Sequence, residues 1–201
     1  MPGIRRGLLL ILLLASLMVI LLGCNTAEYR TFTFERGVNF TFEYPSHYKI
    51  NSIYSFVEGK SAGGLIFFDK LSSKYSLYGF IDVTIRDPSE KFPNAKTAIE
   101  QIALGEFDIY TSGPGELIRN ILERTTINMN GISGELIVYS HRVGFVETLP
   151  YESSKIVRIN RTLFFDHSGL LWSIAIESDE DKAEQAKADF EHLLETFQIL
   201  E

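Results

Sequence analysis

Two segments near the start of the folded chain put an apolar side chain at every second position: Thr31-Phe32-Thr33-Phe34-Glu35 and Val38-Asn39-Phe40-Thr41-Phe42-Glu43-Tyr44. A strand sends successive side chains to opposite faces, whereas a helix would scatter this pattern around its circumference, so the alternation dictates two strands with one apolar face each. Arg36-Gly37 between them predicts a hairpin, and Pro45, which has no N–H to give a ladder, ends the second strand.

Similar reasoning extends along the chain. Strands are predicted at Ile53 to Val57, Gly64 to Phe68 and Tyr78 to Arg86, the last with Ile81, Val83 and Ile85 on one face opposite Asp82, Thr84 and Arg86. Strands near Thr125 to Asn128 and from Gly134 to His141 flank Asn130-Gly131, a dipeptide of the primed turns that suit hairpin twist. Lys155 to Phe165 and Leu171 to Glu177 flank another reverse turn, Asp166-His167-Ser168-Gly169, which completes an antiparallel meander. A helix from Thr97 to Leu104 groups Ala98, Ile99, Ile102 and Ala103, and a short helix from Glu116 to Leu122 follows the breaker Ser112-Gly113-Pro114-Gly115. A final helix takes Ser178 or Asp179 as its cap, with Glu180 and Asp181 at the positive end of its dipole. Its stripe of Ala183, Ala186, Phe190, Leu193, Leu194 and Phe197 requires a sheet to cover. The expected class is α+β, an antiparallel β-sheet flanked by helices with the amphipathic C-terminal helix packed on it. No repeat or linker interrupts residues 31–201, which read as a single domain.

Several of these segments together resemble the PsbP-like family, named after an extrinsic photosystem II subunit and including many bacterial lipoproteins. They are Phe42-Glu43-Tyr44-Pro45-Ser46-His47-Tyr48, Asn130-Gly131 leading into Glu135-Leu136, Gly169-Leu170-Leu171-Trp172-Ser173-Ile174, and the closing helix from Phe190 to Thr196-Phe197. The resemblance runs over about residues 38–199; Tyr48 stands where the family more often has Trp, and residues 93–122 are longer than its usual central helix. It implies an antiparallel sheet flanked by helices, a non-enzymatic role, and assembly or stabilisation of membrane-associated complexes. It brings no cofactor and no ligand-binding pattern.

Ahead of the domain, Arg5-Arg6 precede an apolar run from Leu8 to Leu22 that holds one Ser, short for a membrane span and followed by the small residue Gly23. The run ends in Leu21-Leu22-Gly23-Cys24, which resembles the bacterial lipobox. That resemblance implies a signal peptide of residues 1–23, cleavage between Gly23 and Cys24, acylation of Cys24 with palmitate or a similar chain, and a short tether of residues 24–30. The competing reading is an uncleaved signal anchor with an incidental cysteine. Two or three acyl chains make release from a bilayer very slow, because each buried methylene adds about 0.8 kcal/mol. The protein is then exported and held at the outer face of the cytoplasmic membrane, or at the outer membrane where one exists. Asn25 does not resemble the Asp that often marks inner-membrane retention. Cys24 is the chain's single cysteine, so no disulfide staples the domain and stability has to come from packing of its 15 Phe and 9 Tyr among other apolar residues.

Loss of residues 1–23 removes Arg5 and Arg6, so 19 basic residues fall to 17 against 26 acidic ones and the formal charge moves from −7 to −9. An acidic domain without a basic stripe is a poor partner for nucleic acid, whose phosphates are bound by clustered Lys and Arg. No nucleophile elbow, phosphate loop, dinucleotide fingerprint or zinc-protease motif occurs. His47, His141, His167 and His192 lack metal-type spacing, so no metal site is read from them. Asp166-His167-Ser168 holds the residue types of a hydrolase triad, but consecutive residues cannot form the relay and a tight turn is the better account. Glu177, Asp179 and Asp181 alternate like calcium ligands without the central glycine of a calcium loop, which favours helix capping.

Phe67-Phe68, Tyr75, Tyr78 and Phe80 are core, or else an exposed patch that marks a partner surface. The stretch from His141 to Ser154 is long for a hairpin connection and mixes Arg142, Phe145, Glu147 and Tyr151, which makes these four the candidate interaction surface. The expected function is a lipid-anchored, non-enzymatic envelope binding or scaffold protein, with the membrane and an envelope or membrane protein as partners. The alternative is a solute-binding lipoprotein that holds a small apolar or aromatic molecule. Cys24→Ala is expected to abolish incorporation of a clickable fatty acid and to leave an unprocessed precursor; normal processing and membrane retention of that variant would overturn the anchor.

Overall fold

The computed structural model describes residues 28–36, 38–53, 62–69, 80–104, 119–142 and 157–200. The alternating aromatics form the predicted hairpin: β1 (Tyr29–Arg36) runs antiparallel to β2 (Val38–Pro45), with Phe32 opposite Phe42 and Phe34 opposite Phe40. Phe32, Phe34, Phe40, Phe42 and Tyr44 are all buried, while Thr31, Thr33 and Glu35 face out.

A larger sheet of seven strands is built from two meanders. β3 (Tyr48–Ile53), β4 (Ala62–Asp69) and β5 (Phe80–Arg86) make the first; β6 (Arg119–Met129), β7 (Ile132–Arg142), β8 (Val157–His167) and β9 (Leu170–Asp179) make the second. They join where β5 pairs with β9, giving the order β3-β4-β5-β9-β8-β7-β6, all antiparallel. Both expected tight turns are two-residue primed turns: Asn130 and Gly131 have φ of 50° and 88°, Ser168 and Gly169 of 51° and 76°.

Two predicted elements change. The strand expected at Ile53 to Val57 lies earlier, at Tyr48–Ile53, and residues 54–57 fall outside the described residues. Its pairing with β4 slips between Ile50 and Ser52, and this bulge hides the period-two signal of the edge strand. The short helix expected at Glu116 to Leu122 is replaced, over Arg119–Leu122, by the start of β6; residues 116–118 are outside the described set. Arg119, Asn120 and Ile121 pair with His141, Ser140 and Tyr139, and a ladder offered by a neighbouring strand outweighs a weak local helix preference. A second bulge between Ile121 and Glu123 again breaks the alternation.

Two α-helices stand among the described residues. In α1 (Ala95–Ala103) the Asn94 side chain accepts the Thr97 N–H at 2.9 Å, and the Asp166 carboxylate, reaching over from the end of β8, accepts the Ala95 N–H at 3.1 Å. Ala95, Ala98, Ile99 and Ile102 are buried against Ile137, Phe164 and Leu171, whereas Ala103, expected on that face, is exposed. The closing helix is α2 (Ala183–Thr196), entered through a 3-10 turn at Glu180–Lys182. Neither expected cap forms: Ser178 is still in β9, and Asp179 precedes the turn without a capping bond because its carboxylate faces Arg158. The expected stripe is buried at Ala186, Phe190, Leu193, Leu194 and Phe197 and half-buried at Ala183.

Beyond α2 the chain makes an unforeseen strand, β10 (Gln198–Leu200), which pairs with β2 and completes a three-stranded sheet in the order β1-β2-β10. This small sheet and α2 together cover one face of the seven-stranded sheet, over Ile81, Val83, Ile85, Leu163, Phe165, Trp172, Ile174 and Ile176. Trp172 is fully buried at the junction, edge-on to Phe40 at 5.6 Å and Phe197 at 6.0 Å and stacked on Phe165 at 5.5 Å. The other face carries α1. None of the helices among the described residues is long and apolar enough to cross a membrane.

At Gly134 of β7 a Cβ would stand 2.7 Å from Leu163 Cδ1 and 2.9 Å from the Phe164 carbonyl oxygen of β8. Because Leu163 is fully buried and the carbonyl belongs to the ladder, Gly134→Ala is expected to cost about 1–3 kcal/mol. Urea denaturation checks this; an unchanged midpoint would show that the two strands have room to part.

Candidate functional site

The residues singled out from sequence are not brought together among the described residues. Arg142 is the last residue of β7, opposite Val157, while Phe145, Glu147 and Tyr151 lie outside the described residues, as do Gly23 and Cys24. Two other polar clusters are assembled instead.

The first lies on the α1 side of the seven-stranded sheet. Arg158 of β8 is buried and donates from Nη1 to Glu177 Oε1 at 2.8 Å, with its Nε 3.7 Å from Asp179 Oδ1. His141 Nε2 stands 3.7 Å from the second Glu177 oxygen, and the His141 ring meets Tyr139 at 5.8 Å. The strand register explains the grouping. His141 is opposite Arg158, Arg158 is opposite Asp179, and Asn160 is opposite Glu177, so all share one face of three adjacent strands. Further along, the Thr162 hydroxyl donates to Asn160 Oδ1 at 2.6 Å, and the Thr84 hydroxyl donates to Asp82 at 3.1 Å. Glu177 and Asp179 therefore act as partners of an arginine rather than as calcium ligands or helix caps. Arg158, Asn160 and Thr162 alternate in one strand as Glu177 and Asp179 do in the next, but only the register across their shared turn sets them opposite one another.

Chemically the cluster is an ion-pair network centred on Arg158 and Glu177. Its carboxylates are engaged by Arg158 and His141, and Ser178, the hydroxyl beside them in β9, lies on the strand's other face. Among the described residues, no group of three or more His, Cys, Asp or Glu side chains could hold a metal ion.

The second cluster ties the first strand to the last helix. The Tyr29 ring stacks on His192 with centroids 3.7 Å apart, and His192 Nε2 is 2.8 Å from Glu43 Oε2. Below it the Glu43 N–H donates to Thr196 Oγ1 at 3.0 Å, and Gln185 donates to the buried Asp189 carboxylate at 2.9 Å. Burial pushes the Tyr29 phenol up, and the nearby Asp189 and Glu43 carboxylates push it further, so the uncharged phenol is the form this site holds. What that preference adds to stability is present at neutral pH and is lost as pH rises through the phenol range.

No protein-family model matches the chain, and no curated protein sequence matches it. Among solved structures it is similar to the cyanobacterial PsbP protein CyanoP from Synechocystis sp. PCC 6803, at 15% identity with a TM-score of 0.53, over 89% of this chain and 96% of that one. It is also similar to LpqN of Mycobacterium tuberculosis, described as involved in cell envelope biogenesis, at 9% identity with a TM-score of 0.50, over 87% of this chain and 92% of that one. At such identities the likeness is one of fold, and at that level it supports the PsbP-like resemblance read from the sequence.

The two buried arginines of β8 separate pairing from burial. Glu177→Ala strips Arg158 of its hydrogen-bonded carboxylate and is expected to cost roughly 2–4 kcal/mol, Asp179 being the remaining partner. Arg161, on the α2 side, is also buried, with an Nη1 that no acceptor among the described residues meets; burial lowers its pKa, and the charges of Glu184, Glu123 and Glu191 only partly offset this. Arg161→Met is therefore expected to leave stability unchanged or raise it. Thermal unfolding of the two variants side by side checks both, and equal losses would refute the distinction.

Proposed function

We propose that this chain is a lipid-anchored, non-enzymatic binding or scaffold protein of the bacterial cell envelope, of the PsbP-like type. The reading is carried by the shared fold: nearly the whole described domain follows CyanoP and LpqN, the latter involved in cell envelope biogenesis, and it follows a lipobox-like Leu21-Leu22-Gly23-Cys24. In this account Cys24 is cleaved free of Gly23, acylated, and inserted in the outer face of the cytoplasmic membrane or in an outer membrane. Arg158 holds Glu177 in a buried hydrogen-bonded ion pair, which suits a rigid scaffold.

The partner is an envelope or membrane protein, and the segment bearing Arg142, Phe145, Glu147 and Tyr151 is the proposed contact. Crosslinking and affinity capture of the lipidated protein from its native membrane tests this. A specific envelope or membrane protein is expected to co-purify, and its capture is expected to be lost when residues 144–153 are replaced by a short Gly-Ser link. A large thermal shift with lipids or small aromatic compounds, without a protein partner, would overturn the scaffold in favour of a solute carrier.

A further inference from the structure

We propose that Asn130 is a site of spontaneous deamidation, held in check by the native β6–β7 turn, and that its conversion to aspartate or isoaspartate unfastens the end of α2 and β10. The site needs neither the lipid anchor nor a partner. Asn130-Gly131 is the chain's single Asn-Gly pair. In such a pair no side chain on the glycine shields its nitrogen from the asparagine amide, and here even a Cβ on Gly131 would meet nothing among the described residues within 4 Å, so the turn is open to water. Asn130 is itself exposed, yet its amide is engaged: Nδ2 donates to the Phe197 carbonyl at 2.9 Å and to the Glu195 carbonyl at 3.2 Å. A turn between two strands thereby caps the C-terminal end of a helix 65 residues further along the chain.

The reaction needs only water. Once the Gly131 N–H has lost its proton to a base in solvent, the nitrogen attacks Asn130 Cγ; the N–Cγ bond forms, the Cγ–Nδ2 bond breaks, and the amide nitrogen takes up a proton and leaves as ammonia. Water then opens the succinimide. Cleavage of the N–Cγ bond gives aspartate, and cleavage of the bond from that nitrogen to the main-chain carbonyl carbon of residue 130 gives isoaspartate. The folded turn opposes ring closure in two ways. The Gly131 N–H is engaged with Asn128 Oδ1 at 2.9 Å. Closure also requires rotation of both the backbone and the side chain of Asn130, which the Met129–Ile132 pairing and the two bonds to residues 195 and 197 resist, so it waits for the turn to open. The products do not fit what the amide held. Neither carboxylate has an N–H to give the Glu195 and Phe197 carbonyls, and each places negative charge at the negative end of the α2 dipole. In isoaspartate the main chain also gains one atom, which a two-residue turn cannot absorb without losing register. β10 pairs with β2 through three residues and has little else to hold it.

Peptide mass spectrometry of the full-length protein tests this. The tryptic peptide from Thr125 to Arg142 is followed for its amide-to-acid mass gain at mildly alkaline pH, in native protein and in protein unfolded by guanidinium. Fragment ions are expected to place the gain on Asn130, and the native chain is expected to react about tenfold more slowly than the unfolded one. Asn128→Ala is expected to raise the native rate severalfold, with the unfolded rate and the hydrogen-exchange protection of β8 unchanged, whereas Asn128→Asp, which keeps the acceptor, retains the slow rate. Asn130→Asp is expected to lower the exchange protection of residues 198–200 while that of β8 stays high. Equal rates in folded and unfolded protein, a gain on Asn128 instead, an Asn128→Ala variant that reacts no faster when folded, or unchanged protection of residues 198–200 in Asn130→Asp would each overturn the proposal.

Discussion

The contact between Trp172 and the rings of Phe40, Phe165 and Phe197 is the joint on which the architecture turns. Phe40 comes from the small sheet, Phe165 and Trp172 from the large one, and Phe197 from the end of α2, so one aromatic group closes all three parts of that side of the fold. A three-stranded sheet with a three-residue third strand would be marginal by itself. Its strength comes from the apolar face it presses against Trp172, each fully buried ring being worth about 1.5–3 kcal/mol. The joint carries a cost: the indole N–H of Trp172 is buried without a hydrogen-bond partner among the described residues, a penalty of about 1–3 kcal/mol that its large buried surface has to exceed.

How far the sequence foretells this depends on whether a segment buries one face or two. The hairpin of β1 and β2 was legible because Thr and Glu alternate with Phe, as one wet face requires. The division into two sheets was not, because nothing local to Gln198, Ile199 and Leu200 says that they will pair with Asn39, Phe40 and Thr41. Edge strands β3 and β6 were the least legible, each having a bulge that shifts its alternation by one residue. The Arg158 cluster was hidden for another reason. Val157 to Phe165 is a strand buried on both faces from Arg158 to Phe165, so charge and apolarity interleave without the usual contrast between core and solvent. Only the register with β7 and β9 shows that Arg158 has carboxylates to meet.

The two faces of the seven-stranded sheet are accordingly unlike. The face under α2 and the small sheet is built mainly from Ile, Val, Leu and aromatic side chains, and there the Arg161 Nη1, like the Trp172 indole N–H, is buried with no acceptor among the described residues. The α1 face is apolar only beneath the helix, at Ile137, Phe164 and Leu171, and then gives way to Asn160, Thr162, Ser173, Glu177 and Arg158, all buried. Ion pairs and hydrogen bonds fix geometry more narrowly than aliphatic packing does, so this half of the sheet is held in one arrangement by direction as well as by volume.

The strand that closes the small sheet also sets a limit on when the protein is able to fold. The hydrogen bond from Glu43 to Thr196 spans 153 residues, and β2 has no neighbour on that side until β10, at the far end of the chain, arrives. An N-terminal portion emerging from a ribosome would hold an aromatic hairpin with nothing to cover it. Such a chain cannot complete its small sheet until residues 198–200 have been made, so the aromatic hairpin has to wait, uncovered, through nearly the whole of synthesis.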